Sequence, residues 1–204
     1  MSYFNFVAPA LPLPFPQYDV RQQNELIRAL RLYFTRLDNF ILPYGVFYDT
    51  TDQTAASTTT AYPITLNSTS YSVGVGIDSS NTSRIYVNTA GTYNIQFSVQ
   101  LVNYENQSED IDIWFRKNGI NIADSNTRFG LAARKGLSDP YHTVGSLNFF
   151  VALFAGDYVE LVWRSTKAYT GAGTGAYIEH YAASSSPTRP AIPSVIVTVT
   201  WVSS

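Results

Sequence analysis

Reactive side chains are sparse in this 204-residue sequence, which has two histidines, His142 and His180, and no cysteine. A catalytic zinc site gathers three such ligands, and a nucleophile needs a base and a group that orients it. The two histidines lie far apart, neither has a recognisable partner in sequence, and each is expected at a surface or a strand end. Glu109, Asp110 and Asp112, in "QSEDIDIW", carry the hard oxygens that a cation takes. At a strand start the same spacing puts Asp110 and Asp112 on one solvated polar face, and that is the reading adopted. "GAGTG", residues 171–175, has the glycines of a phosphate-cradling loop, but no helix pattern follows to present its N-terminus. It is expected to be a hairpin tip. No Gly-x-Ser-x-Gly nucleophile elbow is present, and "TVGSLNF" misses that spacing. The expectation is a non-enzymatic protein with no catalytic residue, no metal and no cofactor.

Aromatic residues are abundant, at 15% of the chain. Phe149, Phe150, Phe154, Trp163 and Trp201 mostly fall at alternating positions and are expected in core or interface packing. Tyr141, Tyr169 and Tyr177, in or beside predicted loops, are the expected exposed contacts.

Composition narrows the class. The chain is 45% hydrophobic and 14% charged, so it can bury a substantial core, and its length suits one main β domain. Stability has to come from burial or association, since no disulfide can form. A net charge of -2 and the lack of a dense Lys/Arg run argue against nucleic acid as a partner. The opening "MSYFNFVAPALPLPFPQYD" has no basic start and no apolar run long enough for a bilayer, so neither signal peptide nor membrane anchor is expected.

The elements that must carry these residues fall into two parts. Residues 1–18 hold the closely spaced prolines of "APALPLPFP" and predict a stiff, extended arm. In "DVRQQNELIRALRLYFTRLDNF", Asp19 can cap a helix in which Leu26, Leu30, Tyr33, Leu37 and Phe40 recur at spacings of four and three. So short a helix needs neighbours. The pattern leaves open whether it packs on its own domain or serves as a bundle or docking helix.

After Pro43 the texture is short alternating runs punctuated by Gly, Asn, Asp, Ser and Thr, the pattern of an antiparallel sandwich. Strands are predicted over 45–48, 61–66, 73–77, 84–87, 91–102, 111–117, 120–123, 143–154, 157–163, 176–181 and 194–202. In "GTYNIQFSVQL", Tyr93, Ile95, Phe97, Val99 and Leu101 share one face, while the polar residues between them share the other. Asn118-Gly119 predicts a two-residue hairpin turn. Longer loops are expected over 50–60, 127–141 and 167–175, with "PTRPAIP" as a rigid lead into the last strand.

Three stretches in order, "RIYVNTAGTYNIQFSVQL", "IDIWFRKNGINIA" and "LNFFVALFAGDYVELVW", resemble the jelly roll of the complement globular-head and tumour-necrosis-factor-like superfamily. The resemblance rests on Gly91 and Tyr93, on Lys117, Asn118 and Gly119, and on Ala155, Gly156 and Asp157, and it spans roughly residues 45–202. These are fold motifs rather than active-site motifs. The resemblance implies a mainly β chain, an antiparallel jelly-roll β-sandwich with a short N-terminal arm and helix, assembled as a homotrimer. With its Pro-rich arm, its helix and its "PTRPAIPSVIVTVT" ending, the whole chain is similar to small virion structural proteins of tailed bacteriophages.

The resulting expectation divides the chain into an arm and helix, 1–42, for attachment or oligomerisation, and a jelly-roll domain, 43–204. Function is expected to be that of a trimeric capsid decoration or cement protein, with a receptor-binding tail or fibre module as the alternative. Attachment is assigned to Pro12, Pro14, Phe15, Leu26, Ile27, Leu30, Phe34 and Leu37. The expected partners are further copies of itself and the major capsid protein or another virion component, without nucleic acid or membrane. The expected location is the virion, chiefly the head surface, after synthesis in the host bacterial cytoplasm.

Overall fold

A computed structural model describes residues 9–13, 17, 19–38, 42–136 and 138–203. One helix, α1 (Val20–Asp38), precedes strands β1 (Tyr44–Asp49), β2 (Tyr62–Pro63), β3 (Ser68–Val73), β4 (Val75–Asp78), β5 (Asn81–Val87), β6 (Gly91–Asn103) and β7 (Glu109–Lys117). The chain continues through β8 (Ile120–Asn121), β9 (Thr127–Leu131), β10 (Tyr141–Leu153), β11 (Tyr158–Ser165), β12 (Ala176–Ile178), β13 (Ser184–Ser185), β14 (Thr188–Arg189) and β15 (Val195–Ser203).

Two antiparallel sheets form a sandwich of jelly-roll type. The first has the order β10-β6-β15-β1-β3, with β12 extending along β6; the second has the order β4-β5-β11-β7-β8, with β2 on β11 and β9 on β7. From β5 through β6 and β7, and again through β10, β11 and β15, the chain passes from one sheet to the other. Every such crossing wraps apolar faces around one core.

Alternation decides which face is inside. Tyr93, Ile95, Phe97, Val99 and Leu101 of β6 are buried together with Val195, Val197 and Val199 of β15. From the other sheet they meet Ile111, Ile113 and Phe115 of β7 and Val159, Leu161 and Trp163 of β11. Phe115 stacks on Phe149 at 4.9 Å, and Phe97 packs near Phe115 at 6.0 Å. At roughly 25 cal/mol per Å² of buried apolar area, this dry interior is the main source of stability in a chain without disulfides.

The motifs that carry the sequence resemblance meet in space. Asn118 (φ 48) and Gly119 (φ 81) make the tight turn between β7 and β8, and Gly156 (φ 88) makes the turn between β10 and β11. Asp157 joins the two turns: its Oδ2 lies 2.8 Å from Lys117 Nζ, and its Oδ1 accepts from Asn118 Nδ2 at 2.7 Å. Asn118 Oδ1 in turn accepts from the Tyr158 N–H, and Asp157 Oδ2 accepts from the Phe154 N–H. Gly91 serves packing of another kind. A Cβ there would lie 2.1 Å from Trp201 Nε1 and 2.6 Å from the Ser203 carbonyl, so only glycine lets β15 close on β6.

Several sequence expectations are corrected. The strand expected over 73–77 is two strands in different sheets, because Gly74 (φ 68) turns the chain between β3 and β4. β9 lies inside the loop expected over 127–141, and the short β13–β14 pair straddles the start of the segment read as a rigid lead-in. β2 is two residues long rather than six, and β12 ends at Ile178.

Candidate functional site

α1 starts as its sequence requires. Asp19 Oδ1 accepts from the Arg21 N–H at 2.7 Å, and the Asp19 carbonyl accepts from the Gln23 N–H. The side chains of Leu26, Leu30 and Tyr33 are half-buried, whereas Ile27, Phe34 and Leu37 are 40%, 55% and 38% exposed. No strand packs extensively against α1 among the described residues. Among the described residues, the side of the helix that carries Ile27, Phe34 and Leu37 is therefore left largely uncovered by the sandwich. In the arm, Pro12 is half-buried, and the Gln22 side-chain amide donates to the Leu13 carbonyl, which holds this stretch against the helix. Pro14, Phe15 and Phe40 lie outside the described residues.

The acidic strand start is an ion-pair network rather than a solvated edge. Register sets Arg164 of β11, Asp112 of β7 and Arg128 of β9 in one row. Asp112 is buried, with Oδ1 2.8 Å from Arg128 Nε and Oδ2 2.8 Å from Arg164 Nε and 2.6 Å from Arg164 Nη2. Burial acts to raise the Asp112 pKa, but the hydrogen bonds from the two guanidinium groups outweigh it and hold the carboxyl below its ordinary range. Asp110 shares that face and lies 3.7 Å from Arg128 Nη1, while Glu109 Oε2 accepts from the Thr166 hydroxyl. The three carboxylates are thus engaged by protein donors and do not converge on one point.

Beside this row the outer face of the second sheet opens into a groove of about 420 Å³. It exists because the strand next to β7 is interrupted: β8 ends opposite Arg116 and β9 begins opposite Ile113, so Trp114 has no strand residue across from it on that side. The connecting turn is pinned by buried Ser125, whose Oγ accepts from the Phe115 N–H and donates to the Ile122 carbonyl. Asp124 (φ 59) takes the left-handed conformation that completes the turn.

At one end of the sandwich lies a tyrosine-rich cluster. Tyr177, expected as an exposed contact, is only 6% exposed, because β12 lays it against the core beside β6. It stacks on Tyr104 at 5.7 Å and meets Tyr169 edge-on at 5.3 Å. Tyr141 and Tyr169 are half-buried against the same core. Glu179 accepts from the hydroxyls of Tyr104, Tyr177 and Tyr181. His142, without a partner in sequence, has Nδ1 2.6 Å from Tyr181 Oη and 3.5 Å from Glu179 Oε2. Burial first, and the neighbouring carboxylate second, push the Tyr177 and Tyr181 hydroxyls far above the ordinary phenol range. They remain protonated donors, and the cluster ties strand ends together rather than presenting an activated oxygen. His180 stands apart, its N–H donating to Asp52.

No family model matches the chain, and no curated protein matches its sequence. The fold and these three surfaces are the ground for function. Residues 171–175 form a turn closed on itself, with Thr174 N–H and Oγ1 donating to the Gly171 carbonyl and the Gly175 N–H donating to Glu105. Sequence reasoning missed Arg128, Arg164 and Trp114. Arg-Asp-Arg becomes legible only once β9 is seen as a strand, and its short, Gly-containing "TRFGL" hides that.

Proposed function

We propose that this chain is a non-enzymatic structural protein of a tailed-bacteriophage particle, a homotrimeric decoration or cement protein docked on the head surface through residues 1–42. The assignment to a virion rests on the sequence resemblance. The observation that supports docking through the N-terminal segment is the bare apolar flank of α1, where Ile27, Phe34 and Leu37 stay exposed although the sandwich offers a complete core of its own. Helices in proteins draw most of their stability from packing an amphipathic face, so a partner that covers the apolar side stabilises this one. Proline stiffens the arm, so less conformational entropy is lost when it lies along a surface.

Trimer formation would use the outer face of the first sheet. Val73, Tyr44, Thr200, Asn94 and Phe150 fall in one row across five of its strands, and Val73, Tyr44 and Phe150 are exposed there. Closed threefold symmetry would bury such a row without leaving a free interface to polymerise.

Deletion of residues 1–42 tests the reading. A soluble, β-rich protein that no longer joins particles is the expected result, and full occupancy by the truncated protein overturns it by moving the anchor to the sandwich. The open groove over β7 favours a second reading, a tail or fibre module that contacts the host. Copy number separates the two, since a head carries many copies of a decoration protein and a tail carries few.

A further inference from the structure

We propose that the groove over β7 binds a neutral saccharide. Its lining includes Trp114, half-buried and fixed by the indole N–H donating to Asn121 Oδ1 at 2.9 Å. Arg116 Nε donates to the same Oδ1 at 3.3 Å, which holds Asn121 in place. Ring and amide are therefore set before any ligand arrives, and pre-set groups lose little entropy on binding. Around the ring, among the described residues, the side chains of Asp124 and Asn126 and the Nδ2 of Asn121 make no hydrogen bond within the chain. An indole face beside unspent planar donors and acceptors suits a pyranose, which offers an apolar C–H face with a rim of hydroxyls.

Charge and geometry decide against an anion. Asp112 and Asp124 balance Arg128 and Arg164 in the lining. The side-on edge of each guanidinium is also taken: Nε and Nη2 of Arg128 and of Arg164 all lie on Asp112. The charge an anion would seek is thus already compensated, with Arg128 Nη1 also 3.7 Å from Asp110, whereas the remaining N–H groups can still donate to neutral hydroxyls. A volume of about 420 Å³ lies in the range of small-ligand pockets, roughly 300–1,000 Å³. The groove is open at its top, so it accepts a unit within a longer chain as well as a free sugar. Its placement on a sheet face far in sequence from the N-terminal segment makes this inference independent of how the protein is anchored.

Trp114 is its own reporter. The other tryptophans, Trp163 and Trp201, are buried, so a ligand in the groove changes chiefly the fluorescence and the indole N–H resonance of Trp114. The full-length protein is titrated with methyl glycosides of glucose, galactose, mannose, rhamnose and N-acetylglucosamine, with inorganic phosphate as the anionic control. At least one glycoside is expected to saturate the Trp114 signal with a Kd on the order of millimolar, as a shallow single-sugar site allows. Trp114→Ala is expected to abolish binding, and Asn126→Ala, an exposed change with no partner in the chain to disturb, to weaken it about tenfold, or 1.4 kcal/mol. If no glycoside moves the Trp114 signal, or if phosphate moves it as strongly, the proposal is wrong. If Trp114→Ala does not fold, Asn126→Ala decides: unchanged affinity there places the sugar elsewhere and overturns the site.

Discussion

Asp157 shows how much one carboxylate can organise. It receives Lys117, the Asn118 amide and the Phe154 N–H, and thereby couples two turns that are far apart in sequence. Burial acts to raise its pKa, but the Lys117 hydrogen bond, with the Phe154 and Asn118 donors, brings it down to about 2. A carboxyl lowered from 3.8 favours the folded state fully above the unfolded value, and that contribution disappears as pH falls through the folded one. Asp112 is lowered as well and acts in the same direction. Melting temperature is therefore expected to fall as pH drops from about 4 towards 2, and Asp157→Asn should flatten that part of the profile. At neutral pH, Asp157→Ala should cost about 1–3 kcal/mol in urea unfolding, because the Phe154 N–H and the Asn118 amide lose their acceptor. The turn motifs "KNG" and "AGD" were visible in the sequence. Their contact was not, since it depends on β11 lying beside β7.

Among the elements, α1 and β6 show opposite sources of stability. β6 is held on both sides, by β10 along its whole length and by β15 and β12 on the other edge. Alanine at position 91 would drive its Cβ into Trp201 and the Ser203 carbonyl, so Gly91→Ala should destabilise the sandwich by about 1–3 kcal/mol. α1 has no such support from its own sheets. Leu30→Asp with Leu37→Asp should leave the thermal transition of the sandwich nearly unchanged while reducing incorporation into particles; a large loss of sandwich stability would mean that the helix belongs to the core. Helix periodicity could be read from residues 26–37, but not what covers the flank, because heptad spacing is the same for an internal and an external partner.

For the whole molecule, a closed core without disulfides predicts that residues 43–204 fold alone. The truncated protein should keep its β-sheet circular dichroism and one cooperative unfolding transition. Sedimentation equilibrium is expected to give a trimer for both the full and the truncated chain, through the outer face of the first sheet. A protein that stays monomeric at micromolar concentration would refute the threefold assembly. Chelation should leave the melting temperature unchanged, because Asp112 is neutralised by arginine and no group of three or more metal-binding side chains occurs among the described residues.

Period-two alternation, turn glycines and the capping aspartate are local signals, and from them the sequence by itself determined a mainly β sandwich, its hairpin at Asn118-Gly119, most of its long strands and the N-terminal helix. Burial in β6 follows that alternation from Tyr93 to Leu101 because a strand's side-chain period is set by its backbone geometry alone. Only the tertiary structure decided which strands pair, and hence which side chains share a site. Arg164, Asp112 and Arg128 come from three strands and form one row only through register; Tyr177 leaves the surface because β12 pairs with β6; Trp114 faces a groove because the strand beside it is interrupted. Such contacts join residues distant in the chain, and their free energy comes from burial and charge neutralisation in the assembled fold, so no local pattern in the sequence encodes them.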